Sequence, residues 1–474
     1  MSGTSESRVG KSFLALASGD ALARVIAFAA GVYVGRLLSP SAFGVITFST
    51  GLLLYFSNVV ECGIDLVGVR EVAHDQSGTR RLAPALIGMR LALALVLALA
   101  IAALSPLCLP EPEASVFAVY GISLLVVALS TRWIHLGLQR SRAVAIARTL
   151  GECVYLVSVL LIVHRFQDLV LVPVAQIAGD VLAAVLLWLG IRRLGWKIAP
   201  RFSFQEAKPV LARSWPLVAN VLLGLTIYNS DLIFLRIFRG SESVGLYSAA
   251  YQLISFLINM AAAYSLSLLP ALTRASAVRL DRDRLYRSAF AQTFAVALPI
   301  ALGGAMIAPA MIGTVFGDAY LRSIPALAVL ICALPFTMSK EVDLIALVVA
   351  GRETTVMRMT ALAVLVNLTL NLILIPKYGM MGAAWSTLAT EVARALFARI
   401  CARRVGYPTT GFSAISRALA AGSAMGAALW SARIWAPNLA LPLAIGLGAV
   451  VYGLVLTALG GITWRRGAWP LLRG

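Results

Sequence analysis

Long apolar runs, each about the length of a membrane-crossing helix, are separated by short polar stretches along nearly the whole chain. A helix needs about 20 apolar residues to cross the hydrocarbon of a bilayer. Cutting the chain on that basis gives about fourteen expected spans. The first six are 12–35, 43–68, 83–104, 114–138, 143–163 and 168–190. The next six are 209–233, 244–269, 289–315, 323–349, 358–375 and 380–401, and the last two are 413–435 and 440–463. Turn residues support the cuts: Ser39-Pro40 after the first run, Pro110-Glu111-Pro112 after the third, and Pro376 to Gly379 after the eleventh. The first run is too long for the apolar core of a cleaved signal and holds Asp20 and Arg24, so it reads as a permanent span.

Composition agrees with this reading. Sixty per cent of the 474 residues are hydrophobic, and the mean hydropathy is +0.88; soluble domains lie nearer half apolar. The expected fold is therefore an all-α polytopic membrane protein. The net charge of +19 would fit nucleic acid, but its placement does not. With the N-terminus in the cytoplasm, roughly 28 of the 40 Lys and Arg fall in inner segments and about seven in outer loops. The charge is then topological, with some attraction to an anionic bilayer surface. Nucleic acid is excluded as a partner, and both termini are expected in the cytoplasm.

The outer loops are short and no Walker A pattern occurs, so the chain is not expected to be an enzyme. The five cysteines, Cys62, Cys108, Cys153, Cys332 and Cys401, are scattered without CxxC spacing and read as small hydrophobes. The three histidines are isolated, and no metal or cofactor is called for.

The chain also looks duplicated. Arg36 to Gly44 (RLLSPSAFG) resembles Arg236 to Gly245 (RIFRGSESVG), each following the first span of a six-span block. Asp180 with Arg192-Arg193-Leu194-Gly195 mirrors Glu391 with Arg403-Arg404-Val405-Gly406. Such repeats are parallel, related by an axis along the membrane normal. The expected division is an N-terminal six-helix lobe over 1–190, a cytoplasmic linker over 191–208, a C-terminal six-helix lobe over 209–406, and two peripheral helices with a cytoplasmic tail over 407–474.

Charges inside these runs are the candidate chemistry. An unpaired Arg or Asp at mid-bilayer costs about 2.5–3.5 kcal/mol on insertion scales. Asp20 and Arg24 lie one turn apart, and Asn58, Glu61 and Asp65 share a helix face. Arg24 is expected to meet Asp20, Glu61 or both. Arg90 and Arg132 lie nearer the cytoplasmic ends of their spans, where snorkelling and a functional role are both open, and His135, one turn from Arg132, reads as packing. Glu152 and Asp180 fall near mid-span and favour a cavity position, suited to proton or sodium coupling or equally to a hydrogen-bonded scaffold. Asp231 lies near the outer end of its span. Span eight carries an uncharged polar set, Tyr251, Gln252, Asn259 and Tyr264. Lys340, Glu341 and Asp343 interrupt span ten, Asn367 and Asn371 share a face, and Glu391 and Arg394 have pairing spacing. Arg24, Arg90, Arg132, Lys340 and Arg394 are the candidates for an anionic head group, since Arg matches phosphate through forked hydrogen bonds. Asp20, Glu61, Glu152, Asp180 and Asp231 are the candidate coupling or cavity acids.

The turn ending in Arg24, then Gly35 to Gly44, Gly63-Ile64-Asp65-Leu66 and Arg70-Glu71, resembles the bacterial oligosaccharide flippase or polysaccharide biosynthesis family, of the multidrug/oligosaccharidyl-lipid/polysaccharide exporter superfamily. The second half agrees through Asn229-Ser230-Asp231-Leu232, Val244 to Tyr251 and Leu269 to Arg274. Arg24 and Asp231 match the arginine and aspartate of that pattern; Leu232 and Gln252 stand where the family commonly carries charge. The resemblance implies a V-shaped bundle of two six-helix lobes working by alternating access. It implies a flippase that carries an undecaprenyl-diphosphate-linked oligosaccharide from the cytoplasmic to the periplasmic leaflet of the bacterial inner membrane, with a polysaccharide polymerase and export machinery as partners. A cation-coupled multidrug exporter of the same superfamily is the alternative.

Overall fold

The computed structural model describes the backbone except at Met1, Lys197, 409–411, 437–439, 464–470 and 473–474. Side chains are described from Ser18 onward except Leu66, 166–167, Lys197, Tyr228, 260–267, 409–414, 437–439 and 462–474; the side chain of Tyr264 therefore lies outside the described residues.

The chain is helical almost throughout. Unit by unit, the first helices are α1 (Ser2–Leu37), α2 (Pro40–Glu61), α3 (Ile64–His74), α4 (Gln76–Cys108), α5 (Glu113–Ala128), α6 (Arg132–Gly137), α7 (Ser141–Ile162), α8 (Leu171–Arg193) and α9 (Phe204–Arg239). They are followed by α10 (Ser241–Ala275), α11 (Arg279–Val315), α12 (Ile324–Ile331), α13 (Leu334–Val349), α14 (Glu353–Tyr378), α15 (Met380–Arg404), α16 (Phe412–Trp435) and α17 (Leu441–Ala458). Ile462–Thr463 pairs antiparallel with Leu471–Leu472 over two residues. Ten helical segments are long and apolar enough to cross a membrane among the described residues. The four other expected spans fall on α1, α10, α15 and α16; α15 is long but carries Glu391, Arg394, Arg399, Arg403 and Arg404.

Three expected spans are interrupted. Between α2 and α3, Cys62 (φ 52°) and Gly63 (φ 66°) both take the left-handed conformation, which ends one helix and starts another. Glycine adopts it freely; for a residue with a Cβ it costs roughly 1–2 kcal/mol. Between α5 and α6 the break is Leu129 to Thr131. Between α12 and α13 it is Cys332-Ala333, two residues ahead of Pro335, which cannot donate to the preceding turn.

The chain forms two compact units: residues 1–236 with 240–245, and 237–239 with 246–474. The repeat makes α9 the first helix of the second lobe, whereas by packing it belongs with the first unit up to Arg236. The reason is local. Ala207 and Val210 join a core of Ile64, Val67, Val72, Trp133 and Trp196. Arg213 pairs with Glu71 at 2.9 Å, and Arg236 grips the carboxylate of Glu113 at 2.6–2.8 Å. Within this unit the two copies of the turn motif meet: a Cβ on Gly44 or on Gly245 would strike the backbone of the other segment.

Each unit repeats one further device. After α8, Gly195 (φ 73°) reverses the chain and buries Trp196; after α15, Gly406 (φ 88°) does the same and buries Tyr407. In the first unit Arg80 donates to the Gly195 carbonyl and lies over the Trp196 ring at 6.0 Å. In the second, Arg282 donates to the Gly406 carbonyl at 2.9 Å and lies over Tyr407 at 4.5 Å. The same glycine, aromatic and arginine thus meet at the ends of α8 and α15.

The loop ahead of α4 is held by Asp75, whose carboxylate accepts from the backbone of Ser77 and Gly78 at 3.0 Å and from the Ser77 hydroxyl at 2.7 Å. These donors, the Gly78 N–H foremost, hold the Asp75 carboxyl below the usual carboxylate range. A lowered pKa adds stability above the ordinary pKa that is lost as pH falls through the lowered one. Asp75→Ala is therefore expected to lower thermal stability at neutral pH, with Asp75→Asn milder. The gap between wild type and Asp75→Ala should close on acidification; unfolding curves at several pH values in detergent check this.

Candidate functional site

Interrupted helices leave backbone groups unpaired inside a membrane protein, and something must satisfy them. At the end of α5 the Arg90 guanidinium donates to the carbonyls of Val127 (2.7 Å) and Ser130 (3.3 Å), and Trp188 Nε1 donates to Leu129 at 2.7 Å. Arg90 is fully buried, and this explains its depth. On the far side of the break, Arg132 Nη1 lies 3.6 Å from Asp65 Oδ2, with 40% of the Arg132 side chain exposed. That is a loose, partly solvated pair. Glu61, at the end of α2, lies within electrostatic reach of Asp65, Arg90 and Arg132. The breaks after α2 and α5 thus gather two arginines and two acids at one place in the first unit. His135, one turn beyond Arg132, is buried with Nε2 2.9 Å from the Leu187 carbonyl, a packing role.

A second group joins α1, α7 and α8. Asp20 pairs with Arg148 at 3.1 Å, not with Arg24. The sequence leaves Arg24 to meet Asp20, Glu61 or both, the first because the two lie one turn apart on one helix. The structure instead brings α7 against α1, with a Cβ on Gly19 clashing with Ala145, so Arg148 arrives from the side. Arg24 is exposed, and no hydrogen bond or ion pair engages it among the described residues. Further along, α7 and α8 cross at two glycines: a Cβ on Gly151 would lie 2.8 Å from the Gly179 carbonyl oxygen. The acids that follow each glycine, Glu152 and Asp180, are thereby brought within electrostatic reach of one another and of Arg148. Tyr120 and Tyr155 border the same group. Asp231, on α9, is buried beside Tyr55 of α2.

In the second unit the charges converge on Glu391 of α15. Its Oε2 accepts from Lys340 Nζ and Thr337 Oγ1, each at 2.8 Å, and its Oε1 from Arg394 at 2.5 Å. Lys340 also lies 3.6 Å from Glu341. Lys340 and Glu391 are almost fully buried. Nearer the end of α15, Arg399 pairs with Asp343 at 3.3 Å, donates to the Tyr286 hydroxyl at 2.5 Å and stacks on Phe290 at 3.7 Å. Tyr286 in turn donates to Asp343. Asn367 and Asn371 are buried on α14, with Asn371 Nδ2 3.2 Å from Asn367 Oδ1.

Residues 9–276 match the family of polysaccharide biosynthesis proteins, more than half of the chain. The protein belongs to that family. A Shigella dysenteriae protein named "Putative O-antigen transporter" is 23% identical over 371 residues, covering 77% of this chain and 92% of its own. Among solved structures, the lipid II flippase MurJ in an inward closed conformation superposes with a TM-score of 0.79 at 13% identity, over 94% of this chain and 98% of its own. An inward-facing multidrug resistance transporter of the MATE family follows at 0.62 and 14% identity, over 81% and 95%. A transporter of the same superfamily from Pyrococcus furiosus matches at 0.58 and 15%, over 85% and 96%. At these identities the structural likeness speaks for the fold, which is that of the MurJ and MATE transporters.

On this fold, the five expected head-group cations separate. Arg90, Lys340 and Arg394 are engaged in holding a helix end or a buried ion group, which favours for Arg394 the pairing with Glu391 that its spacing implies. Arg24 and Arg132 keep exposed side-chain surface. Two contributors escaped the sequence reading, Arg148 and Arg399. Both lie within two turns of a helix end, where the sequence counts them as topological charge. The Arg148–Glu152 spacing of four residues was the available signal for the first.

Proposed function

We propose that the protein is a flippase for a lipid-linked oligosaccharide, not an enzyme, acting by alternating access in a bacterial inner membrane. The observation that carries this reading is Arg24. It sits within the first expected span, its helical neighbour Asp20 is taken by Arg148, and its own side chain is exposed. A cation left at that depth is costly unless it meets water or an anion. A diphosphate bridging lipid and glycan supplies such an anion, and Arg132 with its loosely held Asp65 offers a second contact. Family membership and the name of the Shigella relative support the glycan; the names of the MATE neighbours fit the cation-coupled multidrug exporter equally on fold alone.

In this reading undecaprenyl diphosphate is the lipid carrier, movement runs from the cytoplasmic to the periplasmic leaflet, and both termini are cytoplasmic. A polysaccharide polymerase and export machinery would consume the product. Glu152 and Asp180, crowded together at the glycine crossing, are the acids best placed to couple transport to protons or sodium.

A deletion strain tests the assignment. It is expected to accumulate a lipid-linked glycan facing the cytoplasm and to lose the matching surface polysaccharide. Normal surface polysaccharide, together with new sensitivity to cationic drugs, would favour the exporter instead.

A further inference from the structure

A crevice of about 430 Å³ runs between α1 and α7 in the first unit. Its floor is the close contact of Gly19, which has no side chain, with the short Ala145, and Ser18 lines it beside Gly19. Its walls are Leu22, Ile146 and Leu150, which are 52%, 59% and 43% exposed. Thr149 contributes no free hydroxyl, since that group donates to the Gly19 carbonyl at 3.3 Å. One end is different: Arg142, exposed in the first turn of α7, closes the crevice at what charge topology makes its cytoplasmic end.

Exposed leucine and isoleucine on two expected membrane helices belong against acyl chains; the lining of an aqueous path would be polar. The volume falls in the range of small-molecule sites, about 300–1,000 Å³. A single cation at the head-group end of an apolar slot selects an amphiphile with an anionic head. We propose that this crevice binds one anionic phospholipid of the cytoplasmic leaflet, with its phosphate on Arg142 and one acyl chain along Leu22, Ile146 and Leu150. The site is separate from the head-group arginines Arg24 and Arg132. It depends on the cytoplasmic placement of the start of α7 and not on the flippase reading. Because α1 and α7 also carry the Asp20–Arg148 pair, a lipid seated there would brace the two helices beside that pair.

The test is native mass spectrometry of the full-length protein, released from detergent after incubation with phosphatidylglycerol, phosphatidylethanolamine or undecaprenyl phosphate. Wild type is expected to retain one phosphatidylglycerol. Arg142→Ala, and Ile146→Trp, which fills the slot from an exposed position, should each reduce retention at least about fivefold. Arg193→Ala, an exposed cation at the end of α8, should not. Equal retention by Arg142→Ala and wild type would overturn the proposal, as would equal retention of phosphatidylethanolamine, or displacement of the bound lipid by undecaprenyl phosphate. Because no transport is measured, failure here leaves the flippase reading to its own test.

Discussion

Arg24→Ala is expected to abolish glycan export while leaving the protein folded and at wild-type abundance. The structure separates these two effects. Arg24 is exposed and engaged by no ion pair among the described residues, so its removal leaves no carboxylate stranded. Asp20 keeps Arg148, and the contact of α1 with α7 through Gly19 and Ala145 is untouched. Losing one charge-assisted contact to a phosphate is worth about 1.5–3 kcal/mol, or roughly ten- to more than a hundredfold in affinity. Arg24→Lys keeps the charge but loses the fork, and should retain part of the activity. Surface polysaccharide measured beside protein level in membranes checks both halves. Wild-type polysaccharide in Arg24→Ala cells would remove Arg24 from the substrate path.

Glu391→Ala should fail in the opposite way, by loss of the folded protein. It would leave Lys340 and Arg394 facing each other, with Lys340 almost fully buried, while Thr337 keeps only the Ala333 carbonyl at 3.1 Å as acceptor. Breaking a buried ion pair by removing one partner costs about 3–5 kcal/mol, a large share of a typical protein's stability. Replacing the members together with apolar residues of similar size, as in Lys340→Met with Glu391→Leu and Arg394→Leu, should recover much of the loss, since no charge is then buried alone. Thermal unfolding in detergent and abundance in membranes measure both variants. An unchanged midpoint for Glu391→Ala would show that the cations find other partners. If the triple replacement is stable and still exports glycan, Lys340 and Arg394 are scaffold.

The helical class and the order of the spans were legible because they depend on run length and on the distribution of Lys and Arg, both properties of the linear chain. Helix breaks were less visible. Pro335 announces one, but Cys62-Gly63 looks like any small pair in an apolar run, and Leu129 to Thr131 carries no turn signal at all. Partnerships were legible only along a single helix. Glu391 with Arg394 could be read from a spacing of three residues. Asp20 with Arg148 could not, because the contact is set by Gly19 meeting Ala145 on a helix more than a hundred residues away. Arg90 shows the same limit: its place near a span end left snorkelling open, whereas it is fully buried and its guanidinium closes the end of α5 at a break the sequence does not mark. The matched ends of α8 and α15 are the opposite case. There the repeat was visible as Arg-Arg-x-Gly, and the structure adds the buried aromatic and the arginine that covers it.

The central claim is that Arg24 receives the anionic head of a lipid-linked glycan. It is tested most directly in proteoliposomes carrying a fluorescent undecaprenyl-diphosphate-linked oligosaccharide, with translocation followed by quenching from one side. Wild-type protein should move the lipid and Arg24→Ala should leave it at the protein-free rate. Translocation by Arg24→Ala at the wild-type rate would contradict the account.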